Sequence, residues 1–141
     1  MATNEQGQQP GRHESGASRK RLLIVEDDPD LSWLLKFLLE LEGFDVHAET
    51  LGRAALDYAS GTRPDLVILD LKLPDIDGYL VCQQLRTLYN PWVVPVLMLT
   101  CMDKHVDQVR GFTHGATAYL TKTCQTSEII KTVKLLLQET R

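Results

Sequence analysis

Two textures alternate along this chain. Leu22-Leu23-Ile24-Val25 and Leu66-Val67-Ile68-Leu69 are short runs without a polar residue, the pattern of strands buried on both faces. Between them Leu31, Leu34, Leu35 and Leu38 recur at helical spacing, opened by Pro29-Asp30 and closed by Gly43. That spacing predicts an amphipathic helix with those leucines inward. Phe44 to Glu49 reads as a second strand, and residues 52 to 60 as a short helix stopped by Gly61. Leu80, Val81, Leu85 and Leu88 place a helix over residues 78 to 89. A strand from Pro95 to Thr100 follows, then a helix over residues 104 to 114 closed by Gly115, then a short strand from Ala118 to Thr121. The last helix, Ser127 to Gln138, carries Ile129, Ile130, Val133, Leu136 and Leu137 along one stripe.

Five strands alternating with five helices predict an α/β fold of βαβ units around a parallel sheet. Right-handed crossovers make it an open, doubly wound sheet. In such sheets the functional crevice lies beyond the carboxyl ends of the strands. Composition narrows the picture. The 141 residues fit one domain. Residues 1–19 contain no Leu, Ile, Val or aromatic residue, so they read as a disordered tail ahead of a domain over 20–141. The run Arg19-Lys20-Arg21 reads as a solvated flank. A net charge of −4 argues against general nucleic-acid binding. No apolar stretch approaches the roughly 20 residues of a membrane span, and the N-terminus lacks the apolar segment of a secretory signal. Cys82, Cys101 and Cys124 lie far apart without a CxxC, which speaks against a disulfide framework or zinc site and fits a cytoplasmic location.

The strand ends carry the chemistry. Glu26-Asp27-Asp28 follows the first strand, Asp70 the third, Thr100 the fourth and Lys122 the fifth. Singly, these read as an acidic turn at a helix N-terminus, a cap, a strand-end residue and a surface lysine. Together they converge on one edge. Converging carboxylates stay ionised beside a cation, and oxygen ligands suit Mg²⁺. A lysine ammonium and a threonine hydroxyl opposite them can hold phosphoryl oxygens. An Asp can itself be the nucleophile. The set points to metal-assisted phosphoryl transfer.

Four stretches carry a family likeness: residues 22–29 (LLIVEDDP), 65–78 (DLVILDLKLPDIDG), 95–100 (PVLMLT) and 115–122 (GATAYLTK). Over residues 20–141 the chain resembles the receiver domain of bacterial two-component response regulators, the chemotaxis-regulator-like family. The resemblance implies a flavodoxin-like sheet in the order 2-1-3-4-5. It implies that Asp70 accepts a phosphoryl group from a histidine kinase or histidine phosphotransfer protein. It further implies that Glu26, Asp27, Asp70 and the carbonyl of Lys72 hold Mg²⁺, with Asp28 peripheral. Lys122 would pair with the phosphoryl group, and Thr100 and Tyr119 would change position together. Pro74 and Gly78 would shape the loop beneath Asp70. Trp33 and Phe37, one turn apart on a helix that in the family helps dock the kinase, either pack on the last helix or offer an aromatic docking spot. Such a protein is not a conventional enzyme, yet it catalyses its own phosphorylation and slow dephosphorylation.

Departures from the family matter too. Thr123 stands where Pro usually follows the lysine; a cis bond there without proline costs about 2.5–4 kcal/mol, so the loop either bears that cost or is trans. Cys101 replaces a small residue. Thr117 and Ala118 replace the acidic pair that helps the winged-helix branch dimerise, which argues against that dimer. Lys72 and Met102 flank the acceptor, and neither orients a hydrolytic water well, which predicts slow loss of the phosphoryl group. No output domain follows the last helix, so the chain reads as a stand-alone receiver acting on a protein target or as part of a longer regulator. The alternative is a receiver-fold interaction module that works without phosphorylation. A flavodoxin-like cofactor enzyme is disfavoured, because three acids occupy the place of its phosphate loop.

Overall fold

The computed structural model describes residues 19–88, 94–100 and 116–139. Its elements, in chain order, are β1 (Arg21–Val25), α1 (Pro29–Leu41), β2 (Asp45–Glu49), α2 (Gly52–Gly61), β3 (Leu66–Asp70), α3 (Gly78–Leu88), β4 (Val96–Thr100), β5 (Ala118–Thr121) and α4 (Thr126–Glu139). The helix expected over 104–114, Cys101 and Met102 lie outside the described residues. All five strands are parallel and stand in the order β2-β1-β3-β4-β5, so the chain winds outward both ways from β1.

Alternation along the strands separates two cores. Leu23, Val25, Val67, Leu69, Val96 and Met98 face α2 and α3, where Ala55, Ala59, Val81, Cys82 and Leu85 meet them. Leu22, Ile24, Leu66, Ile68, Leu97 and Leu99 face α1 and α4, packing on Leu35, Leu39, Ile129, Val133 and Leu136. Apolar side chains on both faces explain why β1 and β3 read as unbroken hydrophobic runs. Among the described residues no helix is long and apolar enough to cross a membrane.

Two local expectations are corrected. In α1 the inward residues are Ser32, Leu35 and Leu39, while Leu34 is 37% exposed. Leucines occur all round this helix, so spacing alone did not select the face that meets the sheet. Gly61 is the last residue of α2 rather than its stop, and Thr62 follows as the cap. Gly43 does close α1: its φ of 101° is a left-handed backbone that glycine adopts without strain, and its N–H donates to the Glu40 carbonyl.

Candidate functional site

Strand register brings the functional groups to one edge. Val25 pairs with Leu69, Asp70 with Leu99, and Thr100 with Thr121. The residues that follow β1 and β5, Glu26 and Lys122, therefore emerge beside Asp70 and Thr100. Glu26 is fixed by its own N–H, which donates to the Glu49 carbonyl at the end of β2. Lys122 is fixed by its N–H, which donates to the Thr100 carbonyl at 2.6 Å. The turn beyond it is closed by the Cys124 N–H on the Thr121 carbonyl, and the Thr121 and Thr123 hydroxyls lie 2.9 Å apart.

Glu26 is 1% exposed and Asp70 3% exposed. The Lys122 ammonium donates to Glu26 Oε2 at 2.9 Å and to Asp70 Oδ2 at 3.2 Å. The Lys72 N–H donates to Asp70 Oδ1 at 3.2 Å. Burial, with the Glu26 charge beside it, raises the Asp70 carboxyl to about 7, although Lys122 and the Lys72 N–H pull the other way. Burial also works against the Lys122 charge, but its hydrogen bond to Glu26 and the charge of Asp70 outweigh it and hold the ammonium above the ordinary lysine range.

Carboxylate oxygens of Glu26, Asp27 and Asp70 lie within 4.8 Å of one another. Asp27 is exposed. One ammonium is not enough to balance three carboxylates. Glu26 Oε1 is buried with no hydrogen-bond partner among the described residues, an expensive arrangement for an ionised oxygen. A hard divalent cation ligated by oxygens fits this donor set. Asp28 stands apart from the cluster: its Oδ1 caps α1 by accepting from the Asp30 and Leu31 N–H groups at 3.0 and 3.4 Å. Thr100 is wholly buried at the end of β4, and Tyr119, half-buried, packs against the α2–α3 core.

Other features went unread in the sequence. Asp77 caps α3 through the Tyr79 N–H at 2.9 Å; an Asp directly before a helix-opening Gly was a usable signal. Asp75 accepts from the Gly52 and Arg53 N–H groups at the start of α2, and hydrogen bonds from Arg53 first and then Gly52 keep its carboxyl below the usual range. Nothing local to Asp75 announces a partner 23 positions away. Thr117 accepts the Val96 N–H at 3.0 Å and an Arg86 N–H at 3.2 Å. Trp33 and Phe37 lie at the surface of α1. They are 65% and 46% exposed and stack on each other, ring centroids 5.4 Å apart.

Comparison with known proteins accords with this arrangement. Residues 22–134 match the family described as the response regulator receiver domain. The DNA-binding dual master transcriptional regulator RpaA of Synechocystis is 42% identical over 120 residues, covering 85% of this chain and 50% of that protein. The alkaline phosphatase synthesis regulator PhoP of Bacillus subtilis is 40% identical over 119 residues, covering 84% of this chain and 49% of that one. The chain thus spans about half the length of these curated relatives. The crystal structure of the BeF₃-activated N-terminal receiver domain of RstA from Klebsiella pneumoniae superposes with a TM-score of 0.78 at 30% identity, over 84% of this chain and 99% of that one. By its strand order, its strand-end residues and these likenesses, this chain belongs to the response regulator receiver domain family.

Proposed function

We propose that this domain is a phosphorylation-dependent switch of a two-component phosphorelay, accepting a phosphoryl group on Asp70 with Mg²⁺. The observation that carries it is a buried Asp70 carboxylate held by Lys122 within an acidic cluster whose Glu26 Oε1 has no partner. Glu26, Asp27, Asp70 and the Lys72 carbonyl would hold the cation. A cation held there would offset the crowded carboxylates and supply Lewis-acid stabilisation to the phosphoryl oxygens. An Asp70 oxygen attacks the phosphorus of a phosphohistidine. The oxygen–phosphorus bond forms as the phosphorus–nitrogen bond breaks, and the histidine nitrogen keeps the electron pair. Lys122 passes from Asp70 to a phosphoryl oxygen, and the Thr100 hydroxyl turns toward the same group, with Tyr119 following. The donor is a histidine kinase or histidine phosphotransfer protein, and the exposed Trp33–Phe37 stack on α1 suits its docking. The phosphorylated form acts on a separate protein target or on an output domain joined to it. The reading carries a cytoplasmic location with it, in keeping with Cys82 and Cys124 as free thiols.

Calorimetric titration tests the cation site. Asp27→Ala should weaken Mg²⁺ binding at least roughly tenfold, since losing a ligand exceeds the cost of disturbing its surroundings. Unchanged affinity would remove Asp27 from the site. Lys122→Ala should still take up the phosphoryl group but lose most of the amide resonance shift that phosphorylation causes at Thr100 and Tyr119. Full shifts in that variant would take Lys122 out of the switch.

A further inference from the structure

We propose that Asp75 is a positioning residue for this site: its carboxylate clamps the loop beneath Asp70 to the first turn of α2. The inference rests on the reading of Asp70 as acceptor and of the Lys72 carbonyl as a cation ligand. The loop from Leu71 to Asp77 carries Lys72, whose N–H reaches Asp70 Oδ1. On its inner side the loop is tied to itself and to β3. The Gly78 N–H donates to the Leu71 carbonyl at 3.0 Å, and Lys72 and Asp77 form an antiparallel bridge. Asp75 ties it outward. Its Oδ1 accepts from the Gly52 N–H at 2.8 Å and its Oδ2 from the Arg53 N–H at 2.9 Å.

Two further observations mark this contact as built. The residue at the N-cap of α2 is Leu51, which offers no side-chain hydrogen bond. The helix therefore takes its cap from the distant loop, a carboxylate seated on the free N–H groups and positive end of the helix. The two segments also lie flush: a Cβ at Gly52 would come within 2.6 Å of Ile76 and 2.9 Å of Val81. Helix α2 and the loop thus fix one another, and the backbone of Lys72 inherits its position from the clamp. Without the carboxylate the loop loses its outer anchor, and the Lys72 carbonyl is no longer held where a cation needs it.

The test is Mg²⁺ titration of the whole chain by calorimetry, well below the melting temperature and at high salt, so that the missing charge itself is screened. Asp65 supplies the control. It accepts the Arg21 N–H at 2.7 Å before β3, at the end of the sheet away from the site. Asp75→Ala should weaken Mg²⁺ roughly tenfold, as disturbing a ligand's supporting contacts typically does. Asp65→Ala should leave the affinity unchanged. Asp75→Asn, which keeps one acceptor without the charge, should fall between, and it stands as the test if Asp75→Ala does not fold. Equal Mg²⁺ affinity for the Asp75 variants and wild type, or equal weakening by Asp65→Ala, would overturn the proposal. If wild type itself binds no Mg²⁺, the cation reading fails and the inference with it, a result distinct from a clamp that does not matter.

Discussion

Asp70→Asn is expected to abolish phosphorylation and, without Mg²⁺, to stabilise the protein above neutral pH. Asn keeps the shape and an acceptor for the Lys72 N–H but lacks the nucleophilic carboxylate. The stability effect follows from the raised carboxyl. Asp70 titrates at about 7 when folded and near 3.9 in an unfolded chain. Folding therefore favours its protonated form. That contribution is fully present below about pH 4 and is lost as pH rises through about 7. Below about pH 4 the Asp70 carboxyl is protonated in the folded and the unfolded chain alike, and Asn is close to it in shape and charge, so there the two proteins should be about equally stable. Near pH 8 the variant should gain on the order of a few kcal/mol. Added Mg²⁺ should narrow that gap by binding wild type more tightly than the variant. Urea denaturation at both pH values, in chelator and in Mg²⁺, gives the comparison. A gap that does not widen with pH would mean that Asp70 is not strained by its neighbours.

Gly78→Ala is expected to cost about 3 kcal/mol or more. The added Cβ would lie 2.5 Å from the Asp70 carbonyl oxygen, 2.6 Å from the Leu71 carbonyl oxygen and 2.8 Å from the Leu71 Cα. All three are backbone atoms, so no rotamer change relieves the contact. The end of β3 or the start of α3 must move, and the Lys72 N–H moves with it away from Asp70. Gly61→Ala is the contrast. A Cβ there meets nothing within 4 Å at the end of a helix, where Ala is preferred to Gly by up to about 1 kcal/mol. Chemical denaturation of the two variants should therefore give shifts of opposite sign. A Gly78→Ala protein as stable as wild type would contradict the packing described at the foot of Asp70.

The strand runs and the acids at their ends were legible because the reasons for them are local. A strand covered on both faces must be apolar where it is covered, as Leu22–Val25 of β1 and Leu66–Leu69 of β3 are, and a crevice at the strand ends draws on residues that end or directly follow the strands. The inward face of α1 was less legible. Leu34 and Leu39 are chemically alike, and only the position of the sheet distinguishes the exposed one from the buried one. Asp75 and Gly52 were illegible for a further reason. Their meaning lies in a contact between a loop and a helix distant in sequence, made through backbone N–H groups that leave no trace in residue type. The stacked pair Trp33 and Phe37 was visible as a pair, but whether a neighbour covers it depends on how α4 lies. Lys122 and Thr100 were read as partners of phosphoryl oxygens from the strand ends themselves, whereas the Lys72 carbonyl and the joint movement of Thr100 and Tyr119 came from family likeness. Lys122 and the Lys72 N–H lie on Asp70 itself, Thr100 ends the neighbouring strand β4, and Tyr119 stands one strand further out on β5.

The most direct measurement is the intact mass of the protein after acetyl phosphate treatment, with Mg²⁺ and with a chelator, followed by peptide mapping. The account predicts one added phosphoryl group in Mg²⁺, located on Asp70, and none in the chelator. No mass increase in Mg²⁺, or an increase that persists undiminished in Asp70→Asn, would contradict it.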